Sequence, residues 1–409
     1  MLRVAIRTVR AMPPAVLLSP MLVPVLATLI APTALAQGNA SRPWTRTLTT
    51  PAAEVAEPFS AIGGVRELRD GRVLVVDRRE KAVRMVNPAT GAVTQVGREG
   101  SGPGEYGLPM MLMPLPGDST LLFDGVNARY QVIDPAGEMA GSFSLAGEAR
   151  PGALAIGLPR GADGAGRLYF LQRNFTSDHA GRADSAAIVR YDRGRKAVDT
   201  VTYVGMPPAV VQSSGGGGQR NVRITMAAPF TPQDEWAVGS DGRVALVRVA
   251  DYRVEWVAPN GQRVRGPAHP YTPVKVTSAD RDALREQRQR GGGMAVVRTI
   301  GGPPGGGGSG AQSAGSVQLP PPDVGELPDV KPPFTSGAAV VAPDGALWVL
   351  RTRPAEDKVP SYDVFDSFGR QVGRVVLPRD TRLAGFGQRS VYLVRTDADD
   401  LEYLQRYAM

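Results

Sequence analysis

Asp70-Gly71-Arg72-Val73-Leu74-Val75-Val76-Asp77 is a tight turn followed by an apolar run, the pattern of a hairpin leading into a strand. It returns, degenerate, as Gly117-Asp118-Ser119-Thr120-Leu121-Leu122-Phe123-Asp124, Gly166-Arg167-Leu168-Tyr169-Phe170, Asp241-Gly242-Arg243-Val244-Ala245-Leu246-Val247, Asp344-Gly345-Ala346-Leu347-Trp348-Val349-Leu350 and Arg389-Ser390-Val391-Tyr392-Leu393-Val394. The aspartates closing the first two copies stand 47 residues apart. A period of about 40 to 50 residues is what one four-stranded propeller blade uses. Six copies therefore predict an all-β, six-bladed β-propeller with four-stranded antiparallel blades.

Alternation and turn residues divide each blade into an inner strand, the repeated strand, a third strand and an outer strand. In the first blade these are Ala61–Leu68, Arg72–Asp77, Ala82–Val86 and Ala92–Val96, with Asn87-Pro88-Ala89-Thr90-Gly91 as the outer turn. The second uses Met111–Leu115, Thr120–Phe123, Tyr130–Ile133 and Gly141–Leu145, and later blades follow from about 153, 236 and 338. The sixth has only Leu383–Phe386, Val391–Val394 and Glu402–Tyr407 before the sequence stops, so its outer strand must come from elsewhere. The alternating run Trp44–Thr50 is the expected partner of the C-terminal strand, which would close the ring and remove exposed edges.

Two segments interrupt the period, about 206–233 and 272–331, rich in Gly and Pro and expected to be flexible. Within the second, Ser278–Arg290 reads as a helix, with acids in its first turn and Gly291 ending it. Both segments join an outer strand to the next inner strand, so they overhang the face that also carries the loops between second and third strands.

Arg3, Arg7 and Arg10 precede an apolar stretch, broken by prolines, that ends in Ala34-Leu35-Ala36. Residues 1–36 thus read as a signal peptide, leaving 37–409 as a propeller in the periplasm or outside the cell, with no permanent membrane span. The chain has no cysteine, which excludes disulfides, thiol catalysis and a lipoprotein anchor. The formal charge of +8 is carried by forty-two arginines and five lysines scattered along every segment, which argues against a nucleic-acid surface. A monomer is expected.

After the first blade the chain reads Val96-Gly97-Arg98-Glu99-Gly100-Ser101-Gly102-Pro103-Gly104-Glu105-Tyr106-Gly107-Leu108-Pro109. This resembles the Gly-Pro-Gly-Glu-aromatic linker of bacterial secreted six-bladed propellers related to the NHL-repeat group, and the repeated strand with its turn is similar to that group's repeat. The resemblance implies the fold and leaves function open, because the group includes binding modules, scaffolds, hydrolases and lyases.

Candidate chemistry is sparse. The glycines at 100, 102 and 104 have no Lys-Ser/Thr after them and read as turns. His179 and His269 are the only histidines, and no nucleophile elbow accompanies them. Asp77 and Asp124 end equivalent strands, with Asn127, Asn174 and Asp178 in the following loops of the same face. Such oxygens suit a calcium ion, as in the lactonase-like relatives of the group, or ion pairs between blades. The equivalent positions in later blades are Arg248, Arg351 and Arg395, which could bind an anionic ligand such as a carboxylated glycan or peptide terminus. Tyr106, Phe175 and Tyr252 would offer stacking surfaces beside them. The reading is an exported protein that binds a protein or small anionic ligand, with no catalytic residue assigned and no required cofactor. Two alternatives stand beside it: a calcium-dependent hydrolase or lyase at the channel mouth, and a scaffold in an envelope assembly.

Overall fold

The computed structural model describes residues 42–145, 158–172, 185–206, 210–214, 222–226, 229–290 and 327–409. The leader, Asn174, Phe175, Asp178, His179 and the glycine runs of both insertions lie outside the described residues. Six four-stranded antiparallel sheets follow one another along the chain. The first is Ile62–Glu67, Val73–Asp77, Ala82–Val86 and Val93–Gln95; the second is Pro109–Pro114, Thr120–Asp124, Arg129–Ile133 and Met139–Phe143. The third is Gly161–Ala162, Leu168–Gln172, Ser185–Asp192 and Ala197–Gly205; the fourth is Glu235–Val238, Val244–Arg248, Arg253–Val257 and Arg263–Ala268. The fifth is Ala339–Val341, Leu347–Leu350, Ser361–Phe365 and Gln371–Val376. The sixth takes Thr381–Phe386, Ser390–Thr396 and Glu402–Ala408 from the C-terminal end and Ala53–Glu54 from the N-terminal end.

The repeated strands are apolar throughout because each blade is pressed between two others. Successive side chains of a strand point to opposite faces, so one strand feeds two cores. Val73 and Val75 join a cluster with Tyr392 and Val394 of the sixth blade, whereas Leu74 and Val76 join one with Leu122 and Ile133 of the second. Similar clusters fill the gaps between blades two and three, three and four, four and five, and five and six. Each gap of the ring thus has its own core, the gap between last and first blade included. Glycines on inner strands let neighbouring backbones converge: a Cβ on Gly64 would lie 3.3 Å from the Leu112 nitrogen, and one on Gly385 3.1 Å from the Val65 oxygen.

Ring closure uses different residues from those expected. The outer strand of the sixth blade is Ala53–Glu54, with Ala53 opposite Arg406 and Glu54 opposite Gln405. Trp44–Thr47 instead runs parallel to Gly373–Val376 as a fifth strand on the fifth blade. The bare Gly373 explains the choice: its missing side chain leaves the space that the Trp44 ring occupies, within 2.2 Å of where a Cβ would stand. Leu48 then enters the core between blades five and six. The N-terminal segment is therefore a strap across two blades. Side chains complete the seam between blades six and one. Glu67 accepts hydrogen bonds from the Tyr392 hydroxyl (2.5 Å), the Ser390 hydroxyl (2.7 Å) and the Gln388 amide (3.1 Å), with Arg406 3.7 Å away. Glu402 accepts from the Ile62 amide and from Arg382 at 2.8 Å.

The insertions carry more regular structure than their composition suggests. In the first, β-branched flanks pair as an antiparallel hairpin, Val210–Ser214 with Val222–Met226. In the second, Val274–Lys275 pairs with Val330–Lys331, and the helix spans Ser278–Arg290 as expected. Asp280 accepts from the Thr277 amide and from Lys331, whose ammonium also donates to the Arg353 carbonyl and lies 5.1 Å from the Phe230 ring centre. Asp280 and Lys331 are both 3% exposed, so a buried ion pair roots the helix on the loops of the fourth and fifth blades. No helix among the described residues is long and apolar enough to cross a membrane.

Candidate functional site

The face bearing the insertions also carries the second-to-third-strand loops, where every site residue expected from the sequence is found if it lies in the described chain. Asp77 is fully buried and fully engaged. Its Oδ1 accepts from the amides of Ala61 (3.2 Å), Arg79 (3.0 Å) and Glu80 (3.1 Å), and its Oδ2 from that of Ser60 (2.7 Å). Asp124 repeats the device in the second blade, accepting from the Gly107 and Leu108 amides at 3.0 Å and from Asn127 Nδ2 at 2.7 Å. Asn127 in turn donates to the Gly100 carbonyl (3.1 Å). Each carboxylate ties the turn after its strand to the segment entering its own blade. Their lone pairs face N–H donors, a surrounding that repels a cation. No group of three or more acidic or histidine side chains that could hold a metal occurs among the described residues.

The three arginines share the rim without meeting. Arg248 pairs with Asp234 (2.8 Å) and Glu255 (3.0 Å), and Asp234 also accepts from the Val249 amide. The staple of the first two blades is here reversed in charge, with the cation on the strand and the acid on the incoming segment. Arg351 lies 3.7 Å from Asp363, which also binds Arg374 and the Tyr252 hydroxyl (2.8 Å). Arg395 pairs with Glu54 (3.2 Å) and lies 4.4 Å from the Tyr403 ring centre. Tyr106 is fully buried, donating to the Val96 carbonyl and accepting from the Val83 amide. Tyr252 is buried too, and burial together with Asp363 raises its phenol well above the ordinary value. His269 contacts the Gly369 carbonyl and the Phe365 ring between blades four and five. The rings of Tyr106 and Tyr252 plug the framework and present no stacking face to solvent.

Two features escape the sequence patterns. Glu235, 1% exposed, opens the inner strand of the fourth blade and accepts from Arg160 of the third blade and from the Gly337 amide before the fifth. It bridges three blades with its charge balanced. Arg78 and Arg79, by contrast, are exposed, and their side chains have no hydrogen-bonding or ionic partner among the described residues. Arg78 folds its stem across Gly63 on the innermost strand of the first blade: a Cβ there would lie 2.5, 2.7 and 2.8 Å from its Cγ, Cδ and Nε. Gly63 is the readable signal, since only a residue without a side chain leaves that shelf.

The sequence matches no known family model and no curated protein. Among solved structures, a member of the DUF4221 family from Bacteroides vulgatus is similar, with TM-score 0.44, 9% identity and coverage of 88% of this chain and 96% of that one. A protein of Bacteroides fragilis aligns with TM-score 0.42 and 12% identity over 90% of this chain and 99% of that one. Virginiamycin B lyase from Staphylococcus aureus aligns with TM-score 0.36 and 10% identity over 88% of each chain. At these identities, what those proteins bind or convert belongs to them alone.

Proposed function

We propose that this chain is an exported propeller that binds an anionic partner, a carboxylated glycan or a peptide terminus, at the channel mouth on the insertion-bearing face. The observation that supports this reading is the uncompensated pair Arg78 and Arg79. Arg248, Arg351 and Arg395 each have a carboxylate, whereas the guanidinium groups of Arg78 and Arg79 at the corner of the first blade do not. A guanidinium presents a rigid fork of donors that matches a carboxylate with two parallel hydrogen bonds. The stem of Arg78 on Gly63 holds that fork over the innermost strand, with less freedom to lose on binding than a free surface arginine has. Export rests on the basic start and the Ala34-Leu35-Ala36 end of the leader, and N-terminal sequencing of the secreted protein should begin at Gln37.

Calorimetry of residues 37–409 with uronic-acid oligosaccharides and short peptides with free C-termini tests the site. Charge-assisted hydrogen bonds of this kind contribute about 1.5–3 kcal/mol, so replacing both Arg78 and Arg79 by Ala should weaken a bound ligand by roughly tenfold or more. The Arg395→Ala variant should bind as the parent does. Equal affinity in the double variant would refute the assignment.

A further inference from the structure

The opposite face carries a second opening that neither the rim nor the repeat explains. A cleft of about 470 Å³ lies between the second and third blades, within the size range of small-ligand sites. Its walls come from the turn between first and second strands of blade two (Leu115, Pro116, Ser119), the outer strand of the same blade (Ser142, Phe143) and Arg193 in the outer turn of blade three. The matching position between blades four and five is closed: the Gly369 carbonyl stands within 2.4 Å of where a Cβ on Gly266 would be, and Trp256 Nε1 donates to the Asp366 carbonyl. Between blades one and two, the Met85 methyl lies 3.3 Å from a Cβ on Gly137, and Arg72 donates to the Pro135 carbonyl. Between blades two and three no such plug is present among the described residues.

Arg193 is the group that gives the cleft a chemistry. Its guanidinium lies 3.8 Å from the Phe143 ring centre, stacked on the floor, while Phe143 itself stacks on Tyr130 at 5.1 Å. The carboxylates close to it in sequence and space are engaged elsewhere. Asp192 accepts from the Arg195 amide, and Asp163 binds Arg167 and the Tyr169 hydroxyl. A stacked guanidinium keeps its N–H edge free for a ligand, because cation–π contact uses only the planar face.

We infer that this cleft is a second ligand site, specific for small monocarboxylates with an aromatic or branched aliphatic body. The carboxylate meets the edge of Arg193, the apolar body rests against Leu115, Pro116 and Phe143, and the hydroxyl of Ser119 borders the anion. The test uses phenylacetate and 4-methylpentanoate as probes, with phenylacetamide as the neutral twin, on the full secreted chain followed by calorimetry and ligand-observed NMR. Saturable binding of the acids is expected. Phenylacetamide should bind at least about tenfold more weakly, the Arg193→Gln variant should lose a similar factor for the acids alone, and Ser119→Trp should fill the cleft and abolish both. The double Arg78 and Arg79 variant should bind these probes unchanged, which separates this site from the one on the rim. Equal binding of acid and amide, or full affinity in Arg193→Gln, would overturn the inference, as would the absence of binding by any probe to the parent protein.

Discussion

Replacing Glu67 by Ala attacks the seam between the last and first blades at the residue with the most partners. The Tyr392 and Ser390 hydroxyls that donate to it are 1% and 2% exposed by residue, so neither gains water when the carboxylate goes. A buried donor left without a partner costs about 1–3 kcal/mol, whereas the Gln388 amide and Arg406 can turn to solvent and add little. The expected loss is therefore about 3 kcal/mol, read from urea unfolding followed by tryptophan fluorescence at pH 7. A pH arm sharpens it. Burial alone would raise the Glu67 carboxyl, but the bonds from Tyr392, Ser390 and Gln388, with Arg406 nearby, outweigh it and hold the group below its ordinary 4.5. A depressed carboxyl stabilises the fold above its unfolded value and loses that contribution as pH falls through its folded one. The stability difference between the parent and Glu67→Gln should consequently be largest near neutrality and shrink below about pH 4. A change under about 0.5 kcal/mol in Glu67→Ala, or a parent-to-Gln difference that is the same at pH 3.5 and 7, would refute the seam argument.

In the strap, Leu48→Ala should cost about 2–5 kcal/mol because Leu48 is 5% exposed in a core, while Trp44→Ala, at 46% exposed, should cost under about 1 kcal/mol; urea melts that reverse this order would discard the strap as a fastener. Asp77→Ala takes the acceptor from four amides and should destabilise by about 3 kcal/mol or more, and calcium or EDTA should leave the parent's thermal unfolding unchanged. A calcium-dependent rise in melting temperature that Asp77→Ala abolishes would restore the metal reading. Lys331→Met leaves Asp280 charged and buried without its partner, so hydrogen exchange should rise in Ser278–Arg290 while the blade strands stay protected; an unchanged helix would show that the pair is not its root.

The blades were legible because their physics is local and repeated. A strand pressed between two neighbours must be apolar on both faces, and Val73–Asp77 and Thr120–Asp124 are buried at every position. The helix at Ser278 was legible from its own ends. The strap was not, since alternation in Trp44–Thr50 announces a strand without naming its partner, and what decides the pairing is the absent side chain of Gly373, far away in sequence. The rim was harder still. Arg248, Arg351 and Arg395 align by strand position, but the acids that meet them, Asp234, Asp363 and Glu54, come from an incoming segment, a third strand and the strap, with no common spacing. Tyr106 and Tyr252 combine an apolar ring with a hydroxyl, and that composition suits a plug as well as a platform.

Pairing Ala53 with Arg406 joins residues far apart in sequence, on the first and last strands of the ring. Without Glu402–Ala408, Ala53–Glu54 has no partner and the sixth blade ends on the open edge of Ser390–Thr396. Contacts of such sequence separation carry a high loop-closure cost, so closure should be the slow, late step of refolding. An unclosed ring of this kind exposes strand edges until Ala53–Glu54 meets Glu402–Ala408, which favours protection of those edges by a chaperone while closure is pending.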